Sequence, residues 1–281
     1  MIKFCHIAPT NYLGSLTKRN GAYLLLAHLC EQDDRYRDYH YHLDLEKEKI
    51  LDNSAYEMFR QNKDMYPSDK LISIARDVRA DYIVMSDYPN ESYTKTIESA
   101  KKMIPQIKDN GFKTFFVPQS EVGDLMGYIE CFEWGLNNPD IDLIGVSILG
   151  VPNAYNVLKN PLQRYMSRLS LMQELCKQGI LNESHHKRLH FLGLLDGPNE
   201  IRLLESYHHY ISSWDSSSAV WYGLNNKLYD LSPTGQASGK YERDVDFNFK
   251  TDNELCISKA LANIDYIQEL VGDEWIDDYS F

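Results

Sequence analysis

Tyr82-Ile83-Val84-Met85-Ser86-Asp87-Tyr88-Pro89 is a short apolar run that ends in a polar, proline-closed turn. A helical stretch over 93–109 follows and stops at Asn110-Gly111. A second strand over 113–117 then ends at Pro118-Gln119. This strand–helix–strand unit decides the fold, because the alternation continues in both directions. Upstream, 2–8 reads as a strand, 22–30 as a helical run after the Asn20-Gly21 turn, and 49–53 as a strand. Ser68 caps a predicted helix with Leu71, Ile72, Ala75 and Val78 on one face. Downstream come a helix over 125–136, a strand over 143–147, a Pro/Asn-rich loop over 150–161 and a helix to about 178. The strand 188–193 precedes a helix opened by Pro198 at its first position. The strand carrying Asp215 is next, and 219–223 is either an eighth strand or the turn leading to it. A polar stretch over 232–246 and a helix over 253–271 close the chain. Seven or eight strands alternating with helices predict an α/β fold, a TIM-type (β/α)8 barrel forming a single domain over 1–281. A doubly wound open sheet is the competing architecture, but no glycine-rich phosphate fingerprint follows the first strand.

Composition narrows the function classes. At 281 residues and 43% hydrophobic content the chain can bury a large core. It has no run of 18 apolar residues and no signal-peptide anatomy at Met1-Ile2-Lys3-Phe4-Cys5-His6, so a soluble, cytoplasmic protein is expected. The five cysteines, Cys5, Cys30, Cys131, Cys176 and Cys256, are widely spaced and odd in number, which suits a reducing compartment. None forms a Cys-x-x-Cys pair, and ordinary thiols are expected. A net charge of −12 argues against non-specific coating of nucleic acid, because that binding is driven by cationic neutralisation of phosphates. Local basic lips remain open: Lys18-Arg19, Lys101-Lys102, Arg164 with Arg168, and Lys187-Arg188, each of which also reads as a solvated face. Twenty tyrosines offer stacking surfaces for bases, or simply amphipathic packing. Adjacent histidines, His185-His186 and His208-His209, point in different directions on any regular element. With His190 they show no zinc spacing, so no metal is expected.

In an α/β barrel, chemistry sits at the carboxyl ends of the strands. Two aspartates occupy such positions: Asp52 in Ile50-Leu51-Asp52-Asn53-Ser54-Ala55 and Asp215 in Ser213-Trp214-Asp215-Ser216. Two carboxylates across a pocket suit glycosidic displacement, one as nucleophile and the other moving the proton. Strand-end aspartate is also a good helix cap or turn former. The remaining strand ends supply Asn53, Ser54, Asp87, Gln119, Ser147 and Asp196. Asp87 could accept hydrogen bonds from a guanine-like edge and Gln119 could donate to its carbonyl. Gly145 would allow close backbone approach to a ligand.

In this order the motifs resemble those of the tRNA-guanine transglycosylase superfamily. Leu51-Asp52-Asn53-Ser54-Ala55-Tyr56 resembles the family's Asp-Ser-Gly-Gly-Phe segment, which implies that Asp52 is the general acid/base. Ile83-Val84-Met85-Ser86-Asp87 resembles the segment with the base-recognising aspartate, and Val117-Pro118-Gln119 the strand end with the base-reading glutamine. Ile144-Gly145-Val146-Ser147 is similar to the Gly-Gly-Leu strand that offers backbone to the base. His190-Phe191-Leu192-Gly193 with Pro198-Asn199-Glu200-Ile201 resembles the Leu-x-Gly-x-Gly-x-Pro segment, and Asp215 falls where the nucleophile stands. The resemblance covers about residues 45–225. Three departures matter. Asn-Ser-Ala replaces Ser-Gly-Gly, the Pro-Thr-Arg and Arg-Asn-Gly sequence after the nucleophile is missing, and the three-Cys, one-His zinc site is absent. The zinc-less pattern looks more like the phage and bacterial branch that inserts 7-deazaguanines into DNA. The resemblance therefore implies exchange of guanine in DNA for a 7-deazaguanine, such as preQ0 or a derivative, through a covalent Asp215 intermediate and without a cofactor. It implies binding roles for Asp87, Gln119, Gly145, Asn53, Ser54 and Ser147. The alternatives are the same chemistry on tRNA, a catalytically silent barrel that binds nucleic acid or a deazapurine, and a nucleoside hydrolase.

Overall fold

The computed structural model describes residues 1–43, 46–184, 187–229 and 245–272. His185-His186 and most of the polar stretch expected over 232–246 lie outside the described residues. Eight parallel strands form one sheet: β1 (Lys3–His6), β2 (Tyr23–Leu26), β3 (Lys49–Asp52), β4 (Tyr82–Val84), β5 (Lys113–Phe116), β6 (Leu143–Ser147), β7 (Arg188–Leu192) and β8 (Ile211–Ser216). The order β1-β8-β7-β6-β5-β4-β3-β2 brings β1 and β2 to the two edges. Between those edges the Gly21 amide donates to the Phe4 carbonyl at 3.0 Å. Asn20 exchanges two further bonds with the His6 backbone, accepting at 2.9 Å and donating at 3.0 Å. The sheet is thus nearly closed into a barrel with helices between the strands, as the alternation predicts.

Four local expectations are corrected. The run 22–30 reads as helical, yet Tyr23–Leu26 is β2 and only Ala27–Gln32 is helix. Its Tyr-Leu-Leu-Leu core is buried on both faces, and a continuous apolar run cannot be told from a buried helix by periodicity. With β2 in place the barrel needs no strand after β8, and 219–223 lies within the helix Ser218–Leu224. There Gly223 meets the backbone of Ala260 so closely that an added Cβ would collide with it. The helix Glu254–Val271 can therefore pack directly on that segment. The loop expected over 150–161 contains a short helix, Gly150–Ala154. The remaining long helices, Ser68–Val78, Tyr93–Asp109, Leu125–Asn137 and Pro161–Lys177, fall close to their expected places. Ser68 is the first helical residue rather than the cap, which Pro67 occupies.

Alternation along the strands sorts the interior. Lys3, Tyr82 and Arg188 stand at the amino ends of β1, β4 and β7, and Glu48 immediately precedes β3. Glu48 accepts from Arg188 at 2.9 and 3.0 Å, from Lys3 at 2.9 Å and from the Tyr82 hydroxyl at 3.3 Å. This ionic plug lies at the end of the barrel opposite to the one that carries Asp52, Asp87, Gln119 and Asp215. Both residues of one expected basic lip are therefore away from the mouth. Arg188 belongs to the plug, and Lys187 beside it donates to the Gly135 carbonyl at 2.9 Å.

The hydrogen bonds from Arg188, reinforced by Lys3, hold the Glu48 carboxyl down at about 2 against the effect of burial. A depressed carboxyl contributes stability above its unfolded value of about 4.5 and loses it as pH falls toward 2. Glu48→Gln should therefore lower unfolding free energy by about 1–3 kcal/mol at pH 7 and by much less at pH 3. Urea unfolding at the two pH values checks this, and an equal loss at both would contradict an ionic role for the plug.

Candidate active site

At the carboxyl end of β3, Asp52 is half-buried and its Oδ2 accepts from the Ser54 amide at 2.8 Å. Asn53 Oδ1 likewise accepts from the Ala55 amide at 2.8 Å. The plainer role expected of a strand-end aspartate is thus present: Asp52 shapes its own turn. That turn places Ser54 at φ 56° and ψ 33°, the left-handed region, at a cost of roughly 1–2 kcal/mol for a residue with a Cβ. Ser54 is fully buried, and its hydroxyl meets the His28 amide at 3.2 Å and His28 Nδ1 at 2.9 Å.

Between β4 and β5 the expected binding residues hold one another. Asp87 is buried, with Oδ1 accepting from Asn53 Nδ2 at 2.7 Å and Oδ2 from Gln119 Nε2 at 2.6 Å. Asn53 also donates to the Met85 carbonyl at 2.7 Å. Both its amide hydrogens are therefore engaged inside the protein, and it can act on a ligand only through Asp87. Each Asp87 oxygen keeps a lone pair. Gln119 Oε1 is buried without a partner, an acceptor that lacks a donor. Gly150 forms the wall beside it, where a Cβ would lie 2.9 Å from that oxygen.

Gly145 sits one layer below the mouth, opposite His190 in the sheet register. A Cβ there would meet Phe115, Leu192 and Val117 at 2.8–2.9 Å. Close packing of the barrel interior is by itself enough to require glycine at this position. Ser147 reaches the rim, but its Oγ accepts from the Leu149 and Gly150 amides at 3.2 and 3.1 Å, so it forms the turn that carries Gly150. Asp196 is buried beyond β7, where Oδ2 accepts from Asn199 Nδ2 at 3.0 Å.

On β7 and β8 the structure brings together residues that the sequence motifs keep apart. His190 Nε2 lies 3.0 Å from Asp215 Oδ1, and His190 Nδ1 lies 2.8 Å from Ser213 Oγ. The Gly193 amide also donates to Asp215 Oδ1 at 3.3 Å. Asp215 Oδ2 makes no hydrogen bond among the described residues, so only Oδ1 is anchored. In sequence, His190 stands out only as a possible metal ligand. It faces Asp215 because residues of one parity on adjacent parallel strands share the interior, a relation that requires the register of β7 on β8.

Arg168 is also corrected from a surface lip to a buried clamp. It binds Glu200 through Nε at 2.8 Å, with a second bond from a terminal nitrogen, and both side chains are fully buried. Its other hydrogens go to the carbonyls of Val146 and Leu192 at 3.1 Å and of Gly193 at 2.9 Å. Trp214 Nε1 donates to the same Gly193 carbonyl at 2.7 Å. Of the other expected lips, Lys101-Lys102 lies on the exposed outer helix Tyr93–Asp109.

The carboxylates act on one another. Burial first, then the charge of Glu57, pushes the Asp52 carboxyl well above the ordinary range, and the charges of Asp215 and Asp87 add to this. Glu57, on the helix Ala55–Arg60, carries no motif that marks it in sequence. Burial raises Asp87 to about 6 against the opposing hydrogen bonds of Asn53 and Gln119. Burial, with a smaller effect from Lys63, lowers His28 to about 4. Among the described residues no group of three or more His, Cys, Asp or Glu side chains is placed to hold a metal ion, and no helix is long and apolar enough to cross a membrane. The five cysteines are free thiols. No protein-family model matches the chain, and no curated protein matches it.

Because two donors hold Asp87 down while burial holds it up, its titration reports the pocket directly. Carbon-detected NMR should find it near 6, and Gln119→Leu should move it higher by removing one donor. A midpoint near 4, indifferent to Gln119, would mean that Asp87 is open to solvent.

Proposed function

We propose that the protein is a base-exchange glycosyltransferase that replaces guanine in DNA with a 7-deazaguanine such as preQ0 or a derivative. The observation that carries this reading is the division of labour between Asp215 and Asp52. Asp215 is held by one oxygen with the other unbonded, while Asp52 is raised toward its protonated form partly by the charge of Asp215. A carboxyl raised toward its protonated form beside one with an unbonded oxygen suits an acid and a nucleophile.

In the first half-reaction, Asp215 Oδ2 attacks C1′ of the nucleotide. The C1′–N9 bond breaks toward guanine, and N9 takes the proton from Asp52. The resulting sugar ester removes the charge of Asp215, which relieves one of the influences holding Asp52 high and stabilises its new carboxylate. In the second half-reaction Asp52 takes the ring N–H proton of the incoming deazaguanine, whose nitrogen attacks C1′ and expels Asp215. Two displacements at one carbon retain configuration. His190 and the Gly193 amide stabilise Asp215 as it leaves.

Asp87 and Gln119 suit the base. The free lone pairs of Asp87 match the N–H groups on the edge of a guanine-like ring, and the second Gln119 amide hydrogen matches a carbonyl. The partnerless Gln119 Oε1 would take a further donor. The turn at Ser54 adds support, since its left-handed backbone stands where the resembling motif has glycine. A target base inside a duplex must leave the stack to reach this mouth, so flipping or a single-stranded substrate is implied. Asn53 and Ser147 support the pocket from behind. DNA is preferred to tRNA because the sequence lacks the Cys/His zinc motif of the tRNA enzymes.

Incubation with guanine-labelled DNA, guanine-labelled tRNA and labelled deoxyguanosine should show label release from DNA that depends on an added deazaguanine. Asp215→Asn should lower that release by at least about 10³-fold while leaving the fold intact, because an amide cannot form the ester. Release from tRNA alone would move the reading to the RNA polymer. Equal reaction of free nucleoside, with water in place of the base, would replace it by hydrolysis.

A further inference from the structure

His28 has a geometry that neither displacement step uses. It follows β2 in the helix Ala27–Gln32, on the side of the mouth next to Asp52. The Ser54 hydroxyl accepts the His28 amide and lies 2.9 Å from Nδ1. Ser54 is fully buried, and among the described residues its hydroxyl has no other partner. Its hydrogen must therefore point at Nδ1, for otherwise a buried donor would be left without an acceptor. That bond places the ring proton on Nε2. Nε2 makes no hydrogen bond among the described residues and is not sealed from solvent.

The ring is fixed from two sides. Ser54 is held in the left-handed conformation by the Asp52 turn, and the edge of Phe247 stands over the imidazole at 6.2 Å between centroids. Strain held at a mouth residue is commonly tied to a task. Lys63 follows the helix Ala55–Arg60, its amide bonded to the Met58 carbonyl at 2.9 Å. Its exposed side chain has no bonded partner among the described residues, and its charge reaches both His28 and Glu31. Glu31 is already occupied by Lys70 at 2.7 Å and Tyr66 at 2.6 Å. The mouth thus offers a fixed neutral N–H donor and a cation, beside the carboxyl groups of Asp52, Glu57, Asp87 and Asp215.

We propose that His28 and Lys63 form a phosphate-binding subsite, with His28 Nε2–H donating to a phosphodiester oxygen of the strand that carries the target nucleotide and Lys63 neutralising it. This rests on the base-exchange reading only for the identity of the strand. A neutral imidazole suits the place, because a second fixed positive charge beside Asp52 would pull that acid back into its ionised form. Ser54 acts as a positioning residue through the tautomer it selects.

The test uses the full chain labelled with ¹⁵N-histidine and three probes: a five-nucleotide single-stranded oligodeoxynucleotide with central guanine, deoxyguanosine, and inorganic phosphate. The oligonucleotide should shift the His28 Nε2–H resonance, and deoxyguanosine should not. His28→Ala and Lys63→Ala should each weaken oligonucleotide binding about tenfold, the loss expected for one charge-assisted contact. Both should leave deoxyguanosine binding within about twofold. His28→Gln, which keeps a donor and serves as a folding control, should recover part of the affinity. Unchanged oligonucleotide binding in both alanine variants, or no oligonucleotide binding at all, would overturn the subsite. An equal response to inorganic phosphate would assign the site to a free anion and overturn its role on a strand. If the oligonucleotide engages His28 but no base is exchanged, the subsite stands and the reaction falls. If exchange proceeds while binding is indifferent to His28 and Lys63, the reaction stands and the subsite falls.

Discussion

The contact between Arg168 and Glu200 sets the geometry on which the site depends. All five guanidinium hydrogens are used, two on Glu200 and three on the carbonyls of Val146, Leu192 and Gly193. An ion pair with both side chains fully buried is costly to desolvate and is retained only with such complete pairing. Removing one partner would leave an isolated charge in the core. What the pair gains is position. It ties the carboxyl ends of β6 and β7 to the helix Pro198–Leu203, with the rings of Phe191 and Trp214 packed over the guanidinium at 5.0 and 5.3 Å. Gly193 then transmits the arrangement, since its carbonyl is held by Arg168 and Trp214 while its amide donates to Asp215.

The mouth inverts the logic of the plug at the other end. At the bottom, Glu48 is surrounded by cations and held ionised. At the top, Asp52, Glu57, Asp87 and Asp215 gather with His190 as the one basic side chain bonded to any of them among the described residues, and Asp52 and Asp87 are raised. Separating the two electrostatic regimes along one barrel lets the lower end stabilise the fold while the upper end keeps carboxyls near the point of proton exchange. A raised carboxyl costs folding stability once pH passes its unfolded value, and the full cost is reached above its folded one. Asp87 therefore weighs against the fold from about pH 4 upward, and fully above about pH 6, a burden that fits a functional rather than a structural group.

The barrel was legible because strand and helix signals alternate cleanly from 49 onward, with turn residues at each boundary. β2 was not, since four consecutive buried residues carry no period. Strand-end position correctly brought Asp52, Asp87, Gln119 and Asp215 to one end of the barrel. It could not show that Asp87 holds Asn53 and Gln119, because that requires the spacing of neighbouring strand ends. Gly145 is ambiguous in sequence because a glycine on a barrel strand makes room for interior side chains as readily as for a ligand. Arg168 and His190 mislead because sequence shows a charge or an imidazole but not what lies across from it. Only the parallel register, which pairs His190 with Ser213 and Cys5 with Asp215, reveals the neighbours of Asp215.

The central claim is that Asp215 becomes covalently joined to a nucleotide sugar. Mass-spectrometric mapping of the unaltered protein, incubated with guanine-containing DNA without a deazaguanine and quenched in denaturant, tests it most directly. The account predicts a peptide containing Asp215 that carries an abasic deoxyribose adduct, formed with loss of guanine and removed when the digest is treated with mild base. An adduct on another residue, or release of guanine with every Asp215 peptide unmodified, would contradict it.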